Sequence, residues 1–204
     1  MAGPTREFWN ERFVTGSIPW DRGEANPQLS AWLADGTLTP GQRIVVPGCG
    51  QGWEVAALAK AGLQVTGIDF APQALTLCER LLMRAGVSAT LVDADVLHWQ
   101  PPAPLDAVFE QTCLCALYPD YWTQYAAQLH RWLKPGGQLL ALFMQAPRPS
   151  ANEGYIEGPP YHCDINAMRA LFPAQRWEWP QPPYPRVVNA RLERSELAVV
   201  LVRK

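Results

Sequence analysis

Val45-Val46-Pro47-Gly48-Cys49-Gly50-Gln51-Gly52, followed at the end of the next apolar run by Gly67-Ile68-Asp69, decides how this chain folds. Gln42–Val46 is rich in β-branched residues and stops at Pro47-Gly48, which predicts a buried strand. Gln51–Ala61 then carries Val55, Leu58 and Ala59 at helical spacing and ends before Gly62. Glycines between a strand and a helix let the backbone approach a ligand closely and adopt angles closed to other residues. Asp69 comes 21 residues after Gly48 and ends the second predicted strand, Gln64–Asp69. A carboxylate so placed accepts hydrogen bonds from ribose hydroxyls, so the stretch reads as a nucleoside site.

The glycine spacing bears on which nucleoside. A dinucleotide turn wants its third glycine at position 53, where Trp53 stands. Here the third glycine is Gly52, and this tighter spacing suits S-adenosylmethionine, which has no pyrophosphate. Asp95, in Asp93-Ala94-Asp95-Val96 after the third predicted strand, is expected near the adenine, accepting from its amine while Val96 stacks on the ring. Glycines that serve only the turn, and an Asp95 that is merely solvated, are the plain alternatives.

Outward from the turn, strands are predicted at Ala89–Val92, Leu105–Gln111 and Gln138–Met144, with helices over Ala71–Ala85 and Tyr118–Leu133. Lys134-Pro135-Gly136-Gly137 reads as the stop of the latter helix. Strands alternating with helices imply a mostly parallel sheet covered on both faces. Near the end, Asp164–Phe172 reads as a helix, and Arg176–Trp179 with Leu197–Val202 as an antiparallel hairpin at one sheet edge. Asn26-Pro27 starts a helix with Asn as cap and Pro in the first turn. Residues 1–25 are aromatic and charged without a strong period and are expected to fold over the site. One α/β domain over 1–204 is therefore expected: a lid segment 1–25, a cofactor-binding core 42–145, and an acceptor loop, helix and hairpin over 146–204.

Composition narrows the class. Seventeen basic against nineteen acidic residues give a formal charge of −2, which argues against a general nucleic-acid binder. The apolar runs Leu139–Met144 and Leu197–Val202 are too short to span a bilayer, and Met1 to Phe13 lacks the apolar stretch of a secretory signal. Five cysteines, an odd number without a Cys-x-x-Cys pair, read as reduced thiols. A cytoplasmic monomer acting on a small molecule, without membrane or nucleic-acid partners, is the resulting expectation. His98, His130 and His162 are scattered, and neither a metal-ligand cluster nor a Ser-His-Asp order is visible.

Phe8-Trp9-Asn10-Glu11-Arg12-Phe13, Ile18-Pro19-Trp20-Asp21-Arg22-Gly23 and Asn26-Pro27 resemble the N-terminal signature of the thiopurine/halide/thiol methyltransferase family. The glycine turn, Asp69, Glu110 to Ala116, Leu133 to Gly137 and Gly158-Pro159-Pro160-Tyr161 continue the same order over nearly the whole chain. The resemblance implies a Rossmann-like class I methyltransferase sandwich: a mostly parallel seven-stranded sheet with an antiparallel C-terminal strand. It implies an aromatic lid of Trp9, Phe13 and Trp20 over S-adenosylmethionine, with Gly48 on its methionine part. Asp69 would hold the ribose, Asp95 and Val96 the adenine, and Gln111 would contribute beside the fourth strand. Halide and thiol members tend to carry Trp where Phe13 stands and Asp-Tyr where Glu110-Gln111 stand, so the acceptor does not carry over with the fold.

Independently of the family, Trp9 and Trp20 expose too much apolar area for a free tail, and an aromatic face suits a sulfonium cation. Trp53, Trp122 and Trp132 lie on predicted helices and read as packing. Tyr161 is the expected acceptor contact, with His162 beside it. Cys113 and Cys115 read as small filler near the pocket, Glu110 as a turn cap or a methionine ligand, and Arg186 and Arg191 as an anion pair or a solvated edge. Methyl transfer to a soft nucleophile needs alignment and dehydration more than acid–base chemistry, so no catalytic residue is assigned. An idle protein that binds the cofactor as a sensor, and a nicotinamide-dependent reductase, are the competing readings.

Overall fold

The computed structural model of the chain describes residues 3–189 and 194–204. It opens with α1 (Arg6–Thr15) and α2 (Pro27–Ala34), then alternates β1 (Arg43–Pro47), α3 (Trp53–Lys60), β2 (Gln64–Asp69), α4 (Pro72–Ala85) and β3 (Thr90–Asp93). β4 (Leu105–Gln111) leads through the short α5 (Cys113–Ala116) and a 3-10 turn at Pro119–Tyr121 into α6 (Trp122–Trp132) and β5 (Leu133–Gln145). α7 (Ile165–Leu171), β6 (Trp177–Glu178), β7 (Arg186–Asn189) and β8 (Arg194–Arg203) complete it.

The sheet runs in the order β3-β2-β1-β4-β5-β8-β6, parallel from β3 to β5, with β8 antiparallel to β5. β7 also pairs with β8, over residues 194–197, while β6 pairs over 202–203. The seventh position is thus shared by two short strands, where a single hairpin partner at Arg176–Trp179 is expected from the sequence. The proline-rich connection between them explains the split, since proline cannot donate to a ladder.

Both sheet faces are buried, and β5 shows why its sequence is apolar throughout. Leu139, Ala141 and Phe143 pack on one side with Tyr125, Leu129 and Trp132 of α6. Leu140 and Leu142 point to the other side, towards Leu29 and Trp32 of α2 and Leu58 of α3. This is the two-residue alternation of a strand with apolar neighbours on each face. Burying each such Leu or Phe contributes about 1.5–3 kcal/mol.

Two elements depart from the sequence reading. α1 is a helix where no period was visible, because it covers a cavity and its aromatic residues are not confined to a core stripe. α6 does stop before Lys134-Pro135-Gly136-Gly137, but β5 already starts at Leu133 where Gln138 is expected, and its register against β4 shifts between Leu105 and Ala107. Among the described residues, no helix is long and apolar enough to cross a membrane.

Candidate active site

β1 has β2 on one side and β4 on the other, so the loops leaving β1 and β4 diverge in opposite directions. A crevice opens at such a switch point, beyond the carboxyl ends of the strands. In this chain it is a cavity of about 430 Å³. The two loops meet closely: a Cβ on Gly48 would lie 3.2 Å from the Cβ and Sγ of Cys113, and Gly48 has φ +60°. Only glycine fits there without displacing a neighbour.

Asp69 ties the turn to β2. Its Oδ2 accepts from the Gly50 N–H at 3.0 Å and its Oδ1 from the Ala71 N–H at 2.9 Å. Burial raises its pKa, and the backbone donors pull the other way. A carboxylate offers about four lone-pair sites, so two donors leave it capacity for ribose hydroxyls. Asp95 accepts from the Leu97 N–H at 2.8 Å and meets His98 Nδ1 at 3.1 Å, and it lines the cavity beside the buried Val96.

Residues 3–25 lie across this crevice and are anchored at several points. Arg6 pairs with Asp93 at 2.6 Å, and Asn10 Oδ1 accepts from the Gln73 N–H at 2.9 Å, which caps α4. Asp21 accepts from Gln51 Nε2 at 2.9 Å and from the indole N–H of Trp53 at 3.2 Å. Between these anchors Trp20 stands edge-on to Trp9 at 5.4 Å and to Phe13 at 6.1 Å. All three line the cavity, and their far sides pack on Ala71 and Ala74. They therefore serve packing and cavity together.

Tyr161 and His162 do not line the cavity; Gly158, Pro159 and Pro160 do. Tyr161 is buried, its N–H donating to the Cys115 carbonyl at 2.8 Å and its ring edge-on to Tyr118 at 5.6 Å. His162 Nδ1 accepts from the Ala146 N–H at 3.2 Å. Both fasten the loop that presents the prolines. A Cβ on Gly158 would lie 2.4 Å from the Tyr161 ring, which explains the glycine. Gln111 faces a smaller neighbouring depression, with its Nε2 3.3 Å from Glu196. Arg186 is exposed and bonds Ser195 Oγ, and Arg191 lies outside the described residues.

Two further carboxylates are buried: Glu110 caps a turn, one of its two sequence readings, while the burial of Glu196 escaped sequence reasoning. Glu110 Oε1 accepts from the Leu114 N–H at 2.6 Å, capping α5, and Glu196 accepts from Asn26 Nδ2 at 3.1 Å. Burial pushes each up to about 7; the Glu196 charge adds to the shift of Glu110, and Glu54 to that of Glu196, while Gln111, Arg22 and Asn26 hold Glu196 back. Cys113 and Cys115 line the cavity as buried thiols whose pKa burial raises well above the usual range. Only the apolar context of Leu197–Val202 signals that Glu196 enters the core.

These carboxylates make stability pH-dependent. Unfolded, they ionise near 4.5; folded, near 7. Between those values the native state binds more protons, so stability falls as pH rises through the window and levels off above it. Glu196→Gln is expected to remove up to roughly 3 kcal/mol of that loss, read from urea unfolding at pH 5, 6, 7 and 8. A slope equal to that of the unsubstituted protein would show Glu196 ionised throughout.

The donor set fits S-adenosylmethionine: a carboxylate with spare acceptor sites, a glycine turn open to close approach, and aromatic rings for a sulfonium. The family model described as Thiopurine S-methyltransferase matches residues 4–198. The chain belongs to that family. It is an S-adenosylmethionine-dependent methyltransferase. The thiocyanate methyltransferase 1 of Arabidopsis thaliana is 30% identical to this methyltransferase over 171 residues, covering 83% of this chain and 70% of the relative. The thiopurine S-methyltransferase of Legionella pneumophila strain Paris is 28% identical over 169 residues, with 76% and 74% covered. A crystal structure of magnesium protoporphyrin IX methyltransferase from Synechocystis PCC 6803 with bound S-adenosylmethionine shares the fold, with TM-score 0.76, 17% identity and both chains covered completely. The methyltransferase thus keeps the class I sheet, including its antiparallel C-terminal strand.

Proposed function

We propose that the enzyme methylates a small soft nucleophile: a thiol, thiopurine, halide or related chalcogen compound. The observation that carries this reading is the apolar part of the cavity wall. Cys113, Cys115, Leu117, Met144, Pro159 and Pro160 form it, and none is an acid or base with a pKa near neutrality. Such a wall sheds water from an easily desolvated nucleophile and offers no group to take a proton from a hard one. The names of the relatives, thiocyanate and thiopurine methyltransferases, agree with it.

S-adenosylmethionine, when bound, supplies a methyl group already activated on a sulfonium. The chain's own residues do the rest. Gly48 and Gly50 admit the methionine part to the backbone, Asp69 accepts from the ribose, and Asp95 with Val96 holds the adenine. Trp9, Phe13 and Trp20 close the crevice from above and keep water from the nucleophile. We place the protein in the cytoplasm as a monomer, with residues 1–25 as lid, 42–145 as cofactor core and 146–204 as acceptor region. All five cysteines are buried and unpaired, which suits a reducing compartment.

The test is production of S-adenosylhomocysteine with a panel of small thiols, thiopurines and halides, with each methylated product identified by mass. Turnover on soft acceptors and none on matched alcohols or amines is expected. Tight cofactor binding with no turnover on any acceptor would make the protein a sensor of the cofactor.

A further inference from the structure

We infer that Arg12 selects acceptors that carry a carboxylate away from the nucleophilic atom. This rests on the proposed function. Among the described residues, three charged side chains line the cavity: Asp69, Asp95 and Arg12. The two acids lie at the ends of β2 and β3, on the nucleoside side. Arg12 is half-buried and has no carboxylate partner among the described residues. Its guanidinium lies 4.9 Å over the Phe8 ring, and its Nη1 donates to Ser17 Oγ at 3.1 Å. A guanidinium has five N–H donors in a planar fork that matches a carboxylate, so most of them stay available.

The position follows from helix geometry. At about 100° per residue, Arg6 and Asn10 share one edge of α1, and they bond Asp93 and Gln73 on the nucleoside side. Phe8 and Arg12 lie about 160° round from them, on the opposite edge, and both line the cavity. That edge faces away from Arg6 and Asn10 and their partners, and Arg12 is the one cation among the described residues that line the cavity. With the nucleophile seated deep against Cys113 and Cys115, a charge at the far end of the acceptor meets Arg12 at the rim, and Phe8 offers its ring to the body between.

The experiment compares 4-mercaptobenzoate with its methyl ester, which has the same thiol and no charge. It uses the full chain, Arg12→Gln and Arg12→Lys. The value of kcat/KM for the acid is expected to fall about tenfold or more in Arg12→Gln, mainly through KM, and to recover in large part in Arg12→Lys. The ester is expected to change less than about twofold, and S-adenosylhomocysteine affinity by calorimetry likewise, which shows that α1 still covers the cofactor. The S-methylated acid and ester are also titrated into protein saturated with S-adenosylhomocysteine, so that binding is read without turnover. Equal losses for acid and ester, or no loss for either, overturn the assignment of Arg12. If no thiol is methylated, the proposed function fails while the titration still decides the role of Arg12.

Discussion

Asp69→Ala is expected to weaken S-adenosylhomocysteine binding by about 1–3 kcal/mol, roughly 5- to 150-fold, in a calorimetric titration. Two losses add. Ribose hydroxyls lose a charged acceptor, and the Gly50 and Ala71 N–H groups lose the carboxylate that pairs them. The second loss loosens the turn that must lie against the methionine part. It predicts that Asp69→Asn, which keeps one acceptor oxygen and the shape, falls between the two proteins. Unfolding in urea serves as the control, since loss of affinity from general unfolding would track a lowered midpoint. Unchanged affinity would remove Asp69 from the site.

Gly52→Ala is expected to cost stability by about 2–5 kcal/mol, the sum of two effects. Gly52 has φ +84°, and a side chain there costs roughly 1–2 kcal/mol. Its Cβ would also lie 2.2 Å from Sγ, 3.0 Å from Cβ and 3.4 Å from Cα of the fully buried Cys78, so α3 and α4 must move apart, at about 1–3 kcal/mol. Gly86→Ala isolates the first effect: its φ is +66° and nothing lies within 4 Å of the added carbon. Urea unfolding should show the Gly52 variant clearly below the Gly86 variant, and Gly52→Ala in a Cys78→Ala background, which lacks the 2.2 Å contact, should cost less than in the unsubstituted protein. Equal stabilities would mean that α3 and α4 are not held together at this glycine.

The same glycines explain why so much was legible in the sequence. A backbone that must turn through angles closed to other residues writes glycine at fixed places, and a strand buried on both faces writes an unbroken apolar run. The turn 48–52 was readable on the first ground and the Leu139–Met144 run of β5 on the second, and β2 and β4 fall at the bounds expected. α1 was not readable, because Phe8, Trp9, Arg12 and Phe13 are shaped by a cavity that the rest of the chain creates. Asp21, Gln51 and Trp53 form a clamp between segments 30 residues apart, which no local pattern shows. The packing of Tyr161 was hidden for a related reason. Its place after Gly158-Pro159-Pro160 suggested the acceptor, yet the ring packs inward on Gly158 and Tyr118, and the prolines face the cavity.

The crystal structure of the protein grown with excess S-adenosylhomocysteine tests the central claim most directly. The account predicts the ribose hydroxyls within hydrogen-bonding distance of the Asp69 carboxylate, the adenine between Asp95 and Val96, and the amino-acid end along Gly48 to Gly50. A nucleoside bound with its sugar turned away from Asp69, or a crevice left empty at saturating concentration, would contradict it.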